Sequence, residues 1–307
     1  GSINVNDVFM EASVPLVQGK PFAEQLSFDT AYRYSDYNSG ITTDTYKFGT
    51  EWAPVEDIRF RASYQRAVRA PNIVELFTAQ GFVLFDMDGD PCGQNIQFPE
   101  VQPGQPAPPP PVASLAECVA TGVPEGQFGS ENLDNPAGQY QSNFGGNATL
   151  RPETSDTVSY GIVFTPRFAP GLSVSIDYFD IEVDDLISTF GASNTLDACY
   201  QFNDAAACSR IRRDANGSLW IGDGNVDNLN INIGGLQTSG DDLNFNYAGL
   251  DIGRWGSLNF ALTGTYLDEI VTDPGAAGFP PFDCKGQFAG SCISSLTTAV
   301  NPGLRTR

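Results

Sequence analysis

The chain has 307 residues, no histidine and a formal net charge of −21, because 37 Asp and Glu residues outnumber 16 Lys and Arg residues. This balance excludes a basic surface, so nucleic acid is not an expected partner. The lack of histidine excludes Ser-His-Asp and Cys-His catalytic arrangements and the histidine-based zinc motifs, and we expect no enzyme activity. With 41% hydrophobic residues, the chain is too apolar to be wholly disordered.

The first quarter of the chain alternates between apolar and polar residues, which is typical of β-strands. Four strands are predicted, at residues 5–14, 26–34, 46–52 and 58–65. Because side chains of a strand alternate between two faces, each strand has one apolar face, and from the second strand on this face carries Tyr, Phe or Trp. The opposite face is polar and partly charged.

The second half repeats this pattern, with four more strands predicted at residues 157–164, 172–178, 243–247 and 258–266. Many of these strands reach ~10 residues, whereas strands of soluble proteins are commonly 5–6 residues long. Long strands with aromatic ends favour a membrane barrel, although a soluble sandwich has the same alternation.

The connections between the predicted strands alternate in length. Short turns are predicted at residues 15–21, 53–57, 166–171 and 251–255, whereas the connection at residues 36–44 is the one modest member of the long set. Long loops are predicted at about residues 78–149, 185–225 and 268–302, all on one side of the meander. The fold class is therefore an all-β, antiparallel up-and-down transmembrane β-barrel segment with long extracellular loops. The alternatives are a soluble secreted β-sandwich that binds glycans or cations, and a porin without a plug.

All six cysteines lie in the long loops, as three close pairs: Cys92 with Cys118, Cys199 with Cys208, and Cys284 with Cys292. Six cysteines allow 15 pairings, and nearest-neighbour disulfides are favoured because each pair lies within one polar, Gly/Pro-rich stretch. Zinc is disfavoured because C-x-x-C spacing and histidine are both missing, while free thiols stay an alternative. Disulfides indicate an oxidising compartment.

The polar faces of the first strands carry the candidates for a water-filled lumen. These lumen-facing candidates are Arg33, Lys47, Glu51, Arg59, Arg61 and Gln65. Arg66 and Arg69 are expected on the same wet wall. Cross-strand ion pairs that serve the structure are favoured over ligand contact.

The loops carry the candidates for ligand contact. Aromatic side chains that are predicted to stack on a ligand are Phe82, Phe85, Phe128, Tyr140, Tyr200 and Trp220. No cofactor is expected. The segment Asp86-Met87-Asp88-Gly89-Asp90 is similar to a calcium loop, but Gln97 stands where a bidentate Glu belongs, and a polar turn is favoured.

Several motifs resemble strands of TonB-dependent outer-membrane receptors, in the same order along the chain. They are Glu51-Trp52-Ala53-Pro54, Arg69-Ala70-Pro71-Asn72, Leu150-Arg151-Pro152-Glu153-Thr154-Ser155 and Gly235-Leu236-Gln237-Thr238-Ser239-Gly240. The resemblance implies a 22-stranded barrel, closed by a plug, that imports scarce nutrients in the outer membrane. Residues 1–307 would then be part of such a barrel, without the plug before Gly1 and without the terminal aromatic residue after Arg307.

The same resemblance implies the partners of the receptor. They are outer-membrane lipid, a TonB-type energy-transducing complex that acts through the absent plug, and a small extracellular ligand. The implied ligands are ferric siderophores, cobalamin and oligosaccharides. The first long loop is acidic, which argues against anionic ferric chelates and favours a carbohydrate.

Overall fold

The computed structural model describes residues 2–94, 110–287 and 304–306. Eight strands of 12 to 17 residues form one antiparallel sheet, in the order β1-β2-β3-β4-β7-β8-β13-β14. Their bounds are β1 Val5–Lys20, β2 Ala23–Tyr37, β3 Thr42–Val55, β4 Ile58–Arg69, β7 Glu153–Phe164, β8 Leu172–Asp184, β13 Gly235–Asp251 and β14 Ser257–Asp273.

The other elements lie in the connections. The short strands are β5 Gly81–Asp86, β6 Gln139–Phe144, β9 Ile187–Ser188, β10 Ile211–Arg212, β11 Asn225–Asp227, β12 Ile231–Asn232, β15 Phe282–Asp283 and β16 Leu304–Thr306. The helices are α1 Ile73–Phe77, α2 Leu115–Ala120, α3 Ala192–Phe202 and α4 Ala205–Cys208. None of the helices in the described ranges has the length and apolarity needed to cross a membrane.

All eight predicted long strands are confirmed, and the structure extends their ends. The turn predicted at residues 15–21 is wrong, because β1 continues through Pro15 and the chain turns at Pro21–Phe22. Proline is tolerated there because β1 is an edge strand of this sheet, and the register shifts between Pro15 and Val17. At the other end of the sheet, β14 runs to Asp273, so the connection after it begins at residue 274 rather than 268.

The register gathers the apolar side chains on one face of the sheet. Tyr32 lies opposite Tyr46, and Phe245 lies opposite Leu262. Large side chains on this face are well exposed, for example Phe48 at 46% and Leu262 at 45%. Within the described residues no second layer buries them. A continuous apolar face of this size requires an apolar surrounding such as lipid.

The apolar face forms a band that crosses the strands obliquely. On β2 its centre is Thr30, which is in register through the ladder with Ser239 of β13, yet the centre on β13 is Phe245, six residues further on. Six residues span ~20 Å along a strand, and five strand spacings span ~24 Å across the sheet. The apolar band therefore runs at about 40° to a line drawn straight across the strands. Strands of membrane barrels tilt by ~35–45° from the barrel axis, which is perpendicular to the membrane plane. When the strands are tilted by this angle, the apolar band therefore runs parallel to the membrane plane.

The long strands contribute nothing to the main hydrophobic core. The core cluster of 16 buried residues lies between Cys92 and Val226, in the two long connections that join β4 to β7 and β8 to β13. We call the described parts of these connections, residues 70–94, 110–152 and 185–234, the loop domain. It lies at one end of the sheet, while the turns at the opposite end span residues 21–22, 56–57, 165–171 and 252–256.

We predict that Leu262→Arg destabilises the full protein by ~2–4 kcal/mol, because Leu262 lies at the centre of the apolar band. The neighbouring Thr263 points to the polar face, so Thr263→Arg is the matched control and is expected to be nearly neutral. Urea unfolding in lipid vesicles measures both. Equal costs for the two variants would contradict the assignment of the faces.

Candidate functional site

The polar face of the sheet carries cross-strand charge pairs. All six lumen-facing candidates lie on this face by register, since Lys47 is opposite Gln65 and Glu51 is opposite Arg61. Arg33 pairs with Asp7 at 2.6 Å, and Arg59 pairs with Glu51 at 3.7 Å. Both arginines are about half exposed, so each pair is worth less than ~1 kcal/mol. The pairs fix side-chain positions rather than hold the sheet together.

The best-formed pair on this face joins two strands that are not neighbours. Arg61 of β4 donates to both carboxylate oxygens of Asp177 on β8, across the intervening strand β7. Gly161 of β7 makes this possible, because a Cβ at that position would lie 2.0 Å from Oδ1 of Asp177. A bidentate Arg–carboxylate pair has a defined geometry and limits how the two side chains move.

Arg66 and Arg69 were both expected on the polar face, but the structure places them on opposite faces. The expectation is wrong for Arg66, which lies on the apolar face, opposite Tyr46 and Asp156. There it forms a bidentate pair with Asp156, to which Tyr64 also donates at 2.6 Å. Its position near the loop end of β4 explains why a charge is tolerated there. Arg69, on the polar face, joins Glu153 and Glu75 at the root of the first long connection.

The loop domain is folded around its own small sheet. Strands follow the order β10-β11-β6-β5, so two strands come from each long connection. The contact between the connections is the parallel pairing of β11 with β6, which places Val226 beside Ser142. Because the two connections share this sheet and one core, the loop domain is a single folded unit.

Disulfides close this unit, as predicted for two of the three pairs. Cys92 is bonded to Cys118, and Cys199 is bonded to Cys208. Cys284 is also disulfide-bonded, but Cys292 lies outside the described residues. Cys92, Cys118 and Cys199 are at most 1% exposed, so these two bonds belong to the core.

An ion pair between the two connections is completely buried. Arg213 donates to both oxygens of Asp90, at 2.6 and 2.8 Å, and both side chains are 0% exposed. Arg213 also donates to the hydroxyl of Tyr200 at 2.9 Å. The two residues are 123 positions apart, and no local pattern in the sequence links them. Sequence analysis therefore missed this pair.

A second buried carboxylate lies close to this pair. Asp134 is 3% exposed, and one of its oxygens accepts from the backbone N–H of Asp90 at 2.7 Å. Its other oxygen has no hydrogen-bond partner in the described part of the chain. Burial raises the pKa of Asp134 to about 6, and the nearby charge of Asp90 acts in the same direction.

The predicted ligand-stacking residues have different environments. The prediction is wrong for Tyr140 and Tyr200, which are 0% and 6% exposed and have no ring face free for a ligand. Phe85, Phe128 and Trp220 are partly buried against the same core. Phe82 is 55% exposed on the edge strand β5. The sequence of the long connections is polar and gives no sign that their aromatic residues form a core. For that reason the buried positions were predicted to contact a ligand.

A cleft of about 870 Å³ lies between the two connections of the loop domain. One wall is formed by residues 86–91 and 135–138, and the other by one side of α3 with Ser193, Asp197 and Gln201. The lining includes the carboxylates of Asp86, Asp88 and Asp197 and contains no Lys or Arg. It suits a ligand that is neutral and polar or carries positive charge.

The calcium-like segment forms one wall of this cleft. Its third acid, Asp90, faces Arg213 instead of open solvent. In the described ranges no group of three or more acidic or cysteine side chains is arranged to hold a metal ion. Gln97 lies outside those ranges.

We predict that Arg213→Ala destabilises the loop domain by ~3–5 kcal/mol, because it leaves Asp90 charged and buried. The double variant Asp90→Ala with Arg213→Ala is expected to cost less than the sum of the single variants. Hydrogen exchange at the amide of Val226, in the full protein, reports the local stability. Additive costs would show that the pair does not couple the two connections.

A second prediction concerns pH. The pKa of Asp134 is higher in the folded state, at about 6, than its ordinary value of 3.8, so protonation favours folding. This stabilisation is complete below about pH 4 and is lost as the pH rises through about 6, a change of ~2–3 kcal/mol. Asp134→Asn is expected to remove this loss and to stabilise the loop domain at pH 7.5. The same exchange measurement at pH 4.5 and 7.5 tests it, and an identical pH response in both proteins would refute it.

The structure is similar to solved outer-membrane receptors. One is the ferric enterobactin receptor PfeA (mutant G324V) of Pseudomonas aeruginosa, with a TM-score of 0.52, 14% identity and coverage of 87% of this chain and 27% of that one. Another is the siderophore receptor PirA of Acinetobacter baumannii, with a TM-score of 0.50, 13% identity and coverage of 87% and 28%. At this identity the likeness shows the fold alone. The chain spans about a quarter of the length of these receptors.

A search of curated protein sequences finds no match. A family model described as "TonB dependent receptor-like, beta-barrel" matches residues 2–283. The match covers the eight long strands and both connections that form the loop domain. The chain therefore belongs to the β-barrel family of TonB-dependent receptors, and its location is the outer membrane.

Proposed function

We propose that this chain is part of the barrel of a TonB-dependent transporter that takes up a scarce nutrient across the outer membrane, and that it is not an enzyme. The observation that carries the proposal is the separation of three surfaces in one segment. One face of the sheet carries the oblique apolar band, and the opposite face carries the paired charges. The folded loop domain lies at one end of the sheet. A transporter needs these surfaces for lipid, for a wet passage and for ligand capture.

The alternative of a secreted β-sandwich has less support. A sandwich buries the apolar face of one sheet against a second sheet. In the described ranges, Phe60, Tyr160 and Ile176 are 39%, 54% and 48% exposed on that face. The core instead lies in the loop domain, which is not layered on the sheet.

The loop domain supports a ligand that is neutral or positively charged. Its described residues contain 14 Asp and Glu against 4 Arg and no Lys, a net charge of −10. The lining of the cleft between the two connections repeats this bias, with four aspartates, of which Asp90 is paired with Arg213, and no Lys or Arg. Since such a surface repels anionic chelates, we propose an oligosaccharide-type ligand in preference to a ferric siderophore or cobalamin.

Uptake is tested by deleting the gene of the full receptor and restoring it. Cells are supplied with one scarce nutrient at a time, as a neutral oligosaccharide, a ferric siderophore or cobalamin. Growth on an oligosaccharide that requires both the receptor and an active TonB-type complex supports the proposal. If growth requires the receptor only when a ferric siderophore is supplied, the proposed oligosaccharide ligand is wrong, while the proposed transport activity stands.

We predict that Asp197→Ala weakens binding of the transported ligand ~3–10-fold, because Asp197 lines the cleft and holds Gln201 at 2.7 Å. Asp223→Ala is the matched control, since Asp223 is an exposed acid of the same domain outside the cleft. Titration calorimetry with the full receptor measures both. Equal affinities in the two variants would exclude the cleft as the ligand site.

A further inference from the structure

The strand β5 forms one edge of the small sheet in the loop domain. In the described part of the chain, the order β10-β11-β6-β5 leaves β5 paired only with β6. The opposite edge strand, β10, has two residues and includes Arg212, so it is short and charged. In contrast, β5 has six residues without proline or a base, and its one charge is Asp86 at the end. Short or charged edges resist pairing with further strands, whereas an apolar edge such as β5 invites it.

The register shows which backbone groups of β5 point away from β6. The N–H of Met87 donates at 2.9 Å to the C=O of the residue before β6, in the same register as the pairs of β5 and β6. Bonded and non-bonded pairs alternate in an antiparallel ladder, so Phe85 and Val83 are bonded to β6. The N–H and C=O groups of Phe82 and Leu84 therefore point outward. Among the described residues, no hydrogen-bond partner meets these groups.

The side chains of the same two residues are exposed. Phe82 is 55% and Leu84 is 60% exposed, on the face of the small sheet opposite to Phe85, which packs on the core. The helix α1, just before β5, adds Val74 and Phe77, which are 65% and 59% exposed. These two residues are three positions apart and share one side of the helix. Four large apolar side chains so close together in the sequence are more than scattered surface exposure.

The helix α1 and the start of β5 are held by the same segment. The N–H of Gly146 donates to the C=O of Thr78, and the side-chain amide of Gln80 donates to the C=O of Gly146, both at 2.9 Å. A Cβ on Gly81 would lie 3.2 Å from the ring of Phe144. The exposed side chains of α1 and β5 therefore belong to one surface. We call this surface the β5 edge patch, and its members are Val74, Phe77, Phe82 and Leu84.

The described part of the chain leaves the β5 edge patch uncovered. The second connection pairs with the far side of β6, through β11. The connection between β2 and β3, residues 38–41, is too short to supply a strand. An apolar edge that stands open in water pairs with whatever strand it meets. A segment of the same protein covers it most reliably, because tethering raises the local concentration of that segment.

Other connections of the same barrel are available for this role. β1 is an edge strand of 16 residues, and lipid does not tolerate its unpaired backbone groups. The chain spans 27% and 28% of the solved receptors PfeA and PirA. Further strands therefore close the barrel, and each of them has one end on the side of the loop domain.

We propose that an extended segment of another connection of the same barrel pairs with β5 and adds a strand to the small sheet. The segment bonds the outward N–H and C=O groups of Phe82 and Leu84, and its apolar side chains cover the β5 edge patch. It carries no net negative charge, because residues 78–149 contain eight acids and no base and would repel an acidic strand. The proposal requires a closed barrel and does not depend on which nutrient is transported.

Hydrogen exchange of the purified full protein in micelles, measured residue by residue, tests this pairing. The amides of Phe82 and Leu84 are expected to exchange ~100-fold more slowly than unpaired amides, because they are bonded to the added strand. The amides of Val83 and Phe85 are bonded to β6 and report that β5 is folded. Fast exchange at Phe82 and Leu84 beside slow exchange at Val83 and Phe85 would overturn the proposal. Protection that disappears on dilution would also overturn it and would identify a second copy as the occupant.

A charged variant tests whether the protection comes from this edge. Leu84→Asp is expected to speed exchange at Phe82 ~10-fold and to leave Phe85 unchanged, because it places a charge on the outer edge and not on the side of β6. Ile221→Asp is the matched control, since Ile221 is 45% exposed in the second connection, outside the β5 edge patch. It is expected to leave Phe82 as in wild type. Equal exchange at Phe82 in wild type and Leu84→Asp would refute the added strand.

Discussion

The structure depends on one constraint, which is that every backbone N–H and C=O of a strand in lipid must be paired with a neighbouring strand. Long antiparallel strands meet this requirement, and they leave the side chains to decide which face meets which surroundings. From β2 to β14 the ladder continues without a missing strand, so the two faces stay separate over the whole segment. The oblique apolar band and the charged opposite face both follow from that continuity.

The same constraint explains why the hydrophobic core lies outside the sheet. A strand with one face in lipid and the other in water has no need of a packed layer, and its stability comes from pairing. The loop domain stands in water and must bury apolar side chains as a soluble domain does. It combines two connections, two disulfides and the Asp90–Arg213 pair to build one core from short elements.

Periodicity predicts the sheet well because the fold repeats a two-residue pattern. The alternation of apolar and polar residues around Phe28, Tyr32 and Arg33 predicts that strand correctly. The alternation of short and long connections is also visible in the sequence. Arg66 has the wrong predicted face because charge alone suggests water, whereas its position beside Asp156 and Tyr64 depends on register. Tyr140 and Tyr200 are mistaken for surface residues for a different reason. Their burial arises from contacts between distant segments, and local sequence does not encode which segments meet.

The parallel pairing of β11 with β6 gives the outer surface of this receptor a composite character. An antibody raised against this surface would recognise residues from both connections at once. A synthetic peptide that copies one connection would lack half of that epitope and its folding partner. For the same reason, exchanging one connection between related receptors would leave β6 or β11 beside a foreign strand, so grafting of this surface requires that both connections be moved together.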